Sequence, residues 1–273
     1  MATQYDKIVF EKTQEFLYKL IENKDLNREI LDKYMFTPKF NSLEEVYQRL
    51  LESAVNRNRS QGVIAVPLGG VINLKGILKD FNVQAIIKKF KNPEEILNLI
   101  KKEFKLNDIN EDSKGLWVIF SKTILDGVKF LSKFKDFNDF DNFVMFFHND
   151  ERARNALPLL LKQEIRGFGL ALACDFLKES GYFWYAKPDV WLMKIFKELN
   201  LSQSVNDYDV LNAIIRVAEK NNITPYEVDK AFWLIGSGKL YKDIDLKTNK
   251  ATNLGAKGKN IEEYLKFVKS FLQ

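Results

Sequence analysis

The chain has 273 residues, of which 46% are hydrophobic and 29% are charged. These proportions are typical of a globular protein with a sizeable core, and they exclude an intrinsically disordered chain. The excess of Lys and Arg over Asp and Glu gives a net charge of +5, which permits a polyanionic partner but does not require one.

The chain contains one cysteine, Cys174, and one histidine, His148. These counts exclude an internal disulfide, an iron–sulfur cluster and a Cys-rich zinc site, and they argue against a His-based metal centre. We therefore expect no cofactor and no metal. The N-terminal residues lack the apolar core of a signal peptide, and no apolar run reaches the roughly 18 residues of a membrane span. We expect a cytoplasmic protein, within the cell and without a membrane partner.

Hydrophobic residues recur at helical spacing along most of the chain, which predicts an all-α fold. Ser42 and Glu45 have the spacing of a capping box, and Pro93 suits the first position of a helix. Residues 62–71, rich in β-branched residues and glycine, are predicted to form an irregular loop or short strand, and the polar residues 239–259 a loop. The predicted helices are 7–23, 42–57, 93–105, 115–134, 155–164, 170–179, 190–199, 208–221, 225–235 and 260–272.

These elements suggest three segments. An N-terminal helical extension occupies residues 1–41, a core occupies residues 42–240 with a hairpin at about 158–178, and a C-terminal loop and helix, residues 241–273, pack on the core. The residues GSGK at 236–239 do not satisfy the phosphate-loop pattern, since Leu follows the lysine where Ser or Thr is required. We interpret them as the C-terminal turn of a helix.

The stretch LKQEIRGFGLALACDFL contains two short helical patterns on either side of Gly167-Phe168-Gly169. Glycine readily adopts the left-handed backbone angles of a tight turn, and it lets another backbone or a phosphate approach. The second helix begins after Gly169, so its free N–H groups could bind an anion. Taken alone, this pattern also fits an ordinary corner between two helices.

The surrounding residues resemble a known motif. Leu161 and Ile165 precede the turn, Phe168 lies between the glycines, and Ala173 follows four positions after Gly169. This arrangement resembles the helix-hairpin-helix signature, in which an apolar residue packs the turn and a small alanine lets the two helices approach each other. Asp189 lies 20 positions after Gly169 and precedes the next helical pattern.

The hairpin and the downstream aspartate together resemble the helix-hairpin-helix (HhH-GPD) superfamily of base-excision DNA glycosylases. The resemblance implies two helical subdomains around a DNA-binding cleft, with Asp189 as the catalytic carboxylate. It also implies DNA backbone binding by the hairpin residues Gly167, Phe168, Gly169, Leu170 and Ala171. The alternative interpretation of Asp189 is a helix N-cap after a proline, and one carboxylate can serve both roles.

Cleavage of a base from deoxyribose builds positive charge on the sugar, and a held carboxylate stabilises that charge or orients water. The base must first leave the stack and enter a pocket. Candidates for the minor groove and the opposite base are Asn56, Arg57, Asn58 and Arg59, for which the alternative is a solvated polar turn. Candidates for the base pocket are Trp184, Trp191 and Asp175, and core packing is the alternative for the two tryptophans.

One departure from the family concerns strand cleavage. Members that also cut the DNA backbone carry a lysine two positions after the last hairpin glycine, where this chain has Ala171. The resemblance therefore implies a monofunctional glycosylase. A lyase that uses a lysine elsewhere (Lys162, Lys178 or Lys187) stays open.

The expected partner is double-stranded DNA containing a damaged base, bound by a monomer. The expected substrate is a modified purine, either an alkylpurine or 8-oxoguanine, and mismatched uracil or thymine stays open. Two rival hypotheses are a helix-hairpin-helix DNA-binding protein without catalysis and an all-α adaptor in which the hairpin is a coincidence.

Overall fold

The computed structural model describes residues 2–57, 60–107, 109–245, 250–255 and 258–272. The elements in this part of the chain are almost all helical, which confirms the predicted all-α class. The α-helices are α1 (Ala2–Glu22), α2 (Leu43–Val55), α3 (Val66–Leu68), α4 (Val83–Lys89), α5 (Pro93–Glu103), α6 (Leu116–Leu131), α7 (Phe137–His148), α8 (Glu151–Arg154), α9 (Ala156–Glu164), α10 (Leu170–Glu179), α11 (Val190–Glu198), α12 (Asp207–Asn221), α13 (Pro225–Ser237) and α14 (Lys259–Lys269).

Shorter elements complete the chain. A π-helical turn covers Gln61–Ala65, and 3-10 helices cover Arg28–Lys33, Val71–Leu74 and Lys79–Phe81. Two strands, β1 (Lys239–Asp245) and β2 (Lys250–Asn253), pair antiparallel, and their register shifts between Leu240 and Ile244.

The chain forms two compact units. The terminal unit contains residues 1–38 and 181–273, and the middle unit contains residues 39–180. Most of the N-terminal extension and the whole C-terminal segment therefore belong to one unit. The division of the chain at residues 41 and 240 stays a prediction.

The terminal unit has an aromatic core centred on α13. The Phe232 ring lies 5.1 Å from that of Phe196 and 6.2 Å from that of Tyr264, measured between centroids. Gly236 lets α11 approach α13 closely, because a Cβ at this glycine would lie 2.6 Å from the Cβ of Trp191. The helix that begins after Asp189 is thereby held against the most deeply buried helix of its unit.

The middle unit is organised around α6, whose inward face is apolar. The Tyr47 hydroxyl donates a hydrogen bond to the Ile124 carbonyl at 2.9 Å. Gly127 leaves room for Leu50, whose Cδ2 would lie 2.9 Å from an added Cβ. These contacts join α2 to α6, and α10 packs against both α2 and α9.

Each helix predicted from periodicity is present, with ends that differ by a few residues. Ser42 caps α2 as expected, since its Oγ accepts the N–H of Glu45 at 3.2 Å. Gly238 has a left-handed φ of 65° and ends α13, which confirms the interpretation of GSGK as a helix terminus.

Two element predictions are wrong. Residues 62–71 form helical turns, because the buried Ile64, Leu68 and Val71 recur at helical spacing despite their β-branched neighbours. Residues 239–245 and 250–253 form an antiparallel strand pair rather than a loop; Leu240 is fully buried, whereas Tyr241 and Lys242 are exposed. The sequence analysis also missed α4 and α7, which begin at the side-chain caps Asn82 and Asp136.

Candidate functional site

The predicted hairpin is present in the middle unit, where α9 and α10 flank the turn at residues 165–169. Gly167 has a φ of 90°, which side chains rarely tolerate, so this glycine is required by the backbone. Phe168 is buried and packs its ring edge on Phe176, with 6.5 Å between centroids. The apolar residue between the glycines therefore fixes the turn to α10, as the motif implies.

The second glycine has a different role. Gly169 is the N-cap of α10 with an extended φ of −104°, and an added Cβ would find no heavy atom within 4 Å. At Gly167, by contrast, an added Cβ would lie 2.7 Å from the Thr123 Oγ1. Packing inside the protein thus requires Gly167, whereas Gly169 leaves an open surface at the start of a helix.

Two residues of α6 brace the turn, and the sequence analysis did not identify them. The Thr123 hydroxyl donates to the Arg166 carbonyl at 2.6 Å. The Asp126 carboxylate accepts the backbone N–H of Arg166 at 3.2 Å and its Nε and Nη2 groups at 2.7 and 2.9 Å. The available signal was Asp126, a carboxylate within the apolar residues 124–128 of α6.

The turn after α2 lies next to the hairpin. Arg57 Nη1 is 3.9 Å from the position that a Cβ of Gly167 would take. Asn56 is the C-cap residue of α2, and its amide donates to Asp175 Oδ2 at 3.2 Å. Asn58 and Arg59 lie outside the described residues. The structure therefore brings Asn56 and Arg57 together with the hairpin, although a role in the minor groove stays a prediction for all four residues.

Asp175 lies in a polar network between α10 and α2. Its Oδ2 accepts hydrogen bonds from Arg49 Nη2 at 3.0 Å and from Ser53 Oγ at 2.9 Å, besides that from Asn56. Burial alone would lower the pKa of Arg49, but the carboxylates of Asp175, Glu179 and Glu52 outweigh it and raise that pKa. A base-pocket role for Asp175 stays a prediction, and its contacts here connect two helices.

Asp189 is the N-cap of α11 in the terminal unit. Its Oδ1 accepts the backbone N–H groups of Trp191 at 2.9 Å and Leu192 at 3.2 Å. Burial, and then the negative charge of Asp229, raise the pKa of Asp189 to about 6. The charge of Lys187 and the two backbone N–H groups act in the opposite direction. Asp189 therefore caps α11, as the alternative interpretation predicted. Both capping bonds are accepted by its Oδ1.

Asp229 is a further residue of the terminal unit that was not predicted from the sequence. It is fully buried in α13, and its Oδ2 accepts the backbone N–H of Lys187 at 2.5 Å. The available signal was the charged pair of Asp229 and Lys230 between the apolar residues Val228 and Ala231 of α13.

The two tryptophans proposed for a base pocket are half-buried in the terminal unit. The Trp184 ring lies 5.5 Å from that of Tyr182 and 6.2 Å from that of Tyr185, between centroids. Trp191 packs against Gly236. Contact with a base stays a prediction for both.

The lysines that could replace the one missing at Ala171 differ in their surroundings. Lys162 is exposed, and Lys187 is half-buried two residues before Asp189. Lys178 is buried in α10, with its Nζ 3.4 Å from a carboxylate oxygen of Glu179.

No group of three or more His, Cys, Asp or Glu side chains in the described part of the chain is placed to hold a metal ion. Among the described helices, none combines the length and apolar character that crossing a membrane requires.

Comparison with known proteins gives one informative likeness. No protein-family model and no curated protein matches the chain. The crystal structure of Methanocaldococcus jannaschii 8-oxoguanine glycosylase/lyase, in complex with a 15-mer DNA containing 8-oxoguanine, matches with a TM-score of 0.53 and 20% identity, over 81% of this chain and 97% of that one. A structure of Methanocaldococcus jannaschii 8-oxoguanine DNA glycosylase gives a TM-score of 0.47 and 16% identity, over 87% and 94% of the two chains. The fold of this chain is therefore similar to that of the Methanocaldococcus jannaschii 8-oxoguanine glycosylase/lyase.

Proposed function

We propose that this protein is a DNA glycosylase that removes a damaged purine from duplex DNA, with Asp189 as its catalytic carboxylate. The observation that carries the proposal is the placement of Asp189 in a chain with this fold. It begins α11, it follows the hairpin at the family's interval, and its Oδ1 is bound to two backbone N–H groups. A carboxylate held in this way is fixed before substrate arrives.

The two oxygens of the Asp189 carboxylate have different roles in this proposal. Oδ1 of Asp189 is bound by the helix N-terminus, so we assign Oδ2 to the sugar or to the attacking water. As the glycosidic bond breaks, positive charge develops on the deoxyribose, and the ionised carboxylate stabilises it. A pKa of about 6 leaves Asp189 largely ionised near neutral pH and protonated in mild acid. Base release is therefore expected to rise with pH through about 6.

The middle unit supplies the proposed contacts to the DNA backbone. The open position at Gly169 and the free N–H groups at the start of α10 suit a phosphate. Arg57 lies beside Gly167 and adds a positive charge to the same surface. Such contacts hold the duplex in register without reading its sequence, and they make binding sensitive to salt.

The proposed reaction is hydrolysis without strand cleavage. A lyase needs an amine that attacks the sugar to form a Schiff base, and position 171 carries alanine. We therefore expect no covalent complex when the protein and a lesion duplex are mixed with sodium borohydride. A trapped complex would support a lyase that uses Lys162, Lys178 or Lys187, and alanine variants would identify the lysine.

The substrate is proposed as a modified purine, either 8-oxoguanine or an alkylpurine. Duplex oligonucleotides that each carry one modified base, including uracil and thymine mismatches as comparison substrates, would be incubated with the protein and assayed for free base. Release of a purine lesion above the mismatches supports the assignment. Release of uracil or thymine alone would replace it.

The catalytic role is tested with the variant Asp189→Asn, which retains an oxygen that can cap α11. The variant should bind lesion DNA with the affinity of the wild type and release no base. The matched control is Asp136→Asn, which also removes a charge from a helix N-cap, that of α7. Undiminished base release by Asp189→Asn would exclude the proposed mechanism. Salt-sensitive DNA binding by a wild-type protein that releases no base from any substrate would favour the non-enzymatic alternative.

A further inference from the structure

Residues 181–188, the loop that leads into Asp189, and the first turn of α11 contact α13 at three points. The backbone N–H of Tyr226 donates to the Phe183 carbonyl at 3.0 Å, near the start of the loop. The Asp229 carboxylate accepts the N–H of Lys187 at 2.5 Å, two residues before Asp189. After Asp189, Trp191 packs against Gly236. One helix therefore fixes the chain on both sides of the carboxylate.

Asp229 is the charged member of this arrangement. It is fully inaccessible to solvent, and a buried carboxylate is costly unless polar groups compensate it. The backbone N–H of Lys187, which donates to its Oδ2, is one such polar group. The neighbouring Lys230 has a separate role: its Nζ donates to the Tyr241 hydroxyl at 2.7 Å and lies 5.0 Å from the centre of the Tyr226 ring.

We propose that Asp229 is a positioning residue for Asp189, which anchors the Asp189 loop through Lys187 and places a second negative charge close to the catalytic carboxylate. This inference rests on the proposed glycosylase function. The charged groups that act on Asp189 are Asp229, with the same sign, and Lys187, with the opposite sign. The backbone N–H groups of Trp191 and Leu192 oppose the effect of Asp229.

The second charge has a chemical consequence. A like charge makes a carboxylate more basic, and a more basic carboxylate interacts more strongly with a developing cation or with a proton of water. It also adds negative potential where the sugar becomes positive. The same charge raises the pH at which Asp189 ionises. The pH dependence of base release should therefore respond to substitutions of Asp229.

The test separates anchoring from charge. Asp229→Asn keeps an oxygen that accepts the Lys187 N–H but loses the charge, whereas Asp229→Glu keeps the charge. The matched control is Glu227→Gln, a neutralised carboxylate on the same helix whose capping box glutamine can maintain. For Asp229→Asn we expect the acid limb of the kcat profile to move to lower pH by about half a unit or more, with a several-fold lower plateau. Asp229→Glu and Glu227→Gln should keep the wild-type midpoint, and a profile of Asp229→Asn that coincides with the wild type would overturn the inference.

A second measurement needs no enzymatic activity. The difference in unfolding free energy between the wild type and Asp189→Asn, followed against pH, reports the titration of Asp189 in the folded protein. The same difference is then measured with Asp229→Asn in both proteins. A titration displaced to lower pH supports the inference, and an unchanged one overturns it. Because this result is independent of base release, it also distinguishes a failure of the inference from a failure of the proposed function.

Discussion

The side-chain amide of Asn56 donates a hydrogen bond to the carboxylate of Asp175 at 3.2 Å. This bond joins the turn that follows α2 to the second helix of the hairpin. The two segments proposed to contact DNA in the middle unit are thus parts of one hydrogen-bonded structure. Displacement of the turn would require breaking bonds at Asp175.

Removal of the Asp175 carboxylate should destabilise the protein strongly. Arg49 would be left largely buried without its main partner, and such a loss costs about 3–5 kcal/mol. We expect Asp175→Ala to lower the unfolding free energy by that amount in urea denaturation. The double variant Arg49→Met with Asp175→Leu should recover most of it, because both charges of the Arg49–Asp175 pair are removed together. A cost below about 1 kcal/mol for the single variant would show that solvent reaches Arg49.

The two hairpin glycines should respond differently to alanine. Gly167→Ala forces a side chain into a left-handed backbone and towards Thr123, so it should cost more than about 1 kcal/mol of stability. Gly169→Ala meets open space and changes only an N-cap, so its cost should stay at or below about 1 kcal/mol. Its affinity for duplex DNA should nevertheless fall at constant salt, measured by fluorescence anisotropy. Unchanged affinity in Gly169→Ala would mean that DNA does not approach this surface closely.

The charge of Asp189 should cost stability at neutral pH. Its pKa is raised in the folded protein to about 6 from 3.8, so the fold favours the protonated form. The stabilisation from this group is complete below about pH 4 and is lost as pH rises through about 6. Asp189→Asn removes that loss, so the variant should be more stable than the wild type at pH 7.5, by at most about 3 kcal/mol.

Thermal unfolding of both proteins between pH 4 and pH 8 would check this expectation. The stability difference should become small towards the acid end, because Asp189 is neutral in the folded protein there and its ionised share in the unfolded chain falls as the pH approaches 3.8. Equal stability at every pH would mean that solvent or another group compensates the buried charge.

The sequence predicted best what depends on neighbouring residues. The apolar residues around Gly167 and the backbone angle of that glycine are local, and the hairpin formed where the motif placed it. The start of α2 followed from its cap Ser42, and the end of α13 from Gly238. The prediction for residues 62–71 was wrong because the burial of Ile64 and Leu68 at helical spacing outweighed the β preference of the segment.

The parts of the candidate site that escaped prediction depend on residues distant in sequence. Arg49 and Asp175 are separated by 126 positions, and Lys187 and Asp229 by 42. A single sequence gives no measure of such proximity, and a charged residue in a helix is more often solvated than buried. The apolar neighbours of Asp126 and Asp229 were the one local sign that these carboxylates have partners inside the protein.

The residue at position 171 should decide whether the protein can form a covalent intermediate. Ala171 is half-buried in the first turn of α10, directly after the open N-terminus at Gly169. The variant Ala171→Lys places an amine two positions after Gly169, where the hairpin signature of glycosylases with lyase activity has a lysine. On a substrate that the wild type cleaves, we expect this variant to form a borohydride-trapped complex, seen as a slower band on a denaturing gel. Ala171→Gln, of similar length but without an amine, should give no such band, because a Schiff base requires a primary amine.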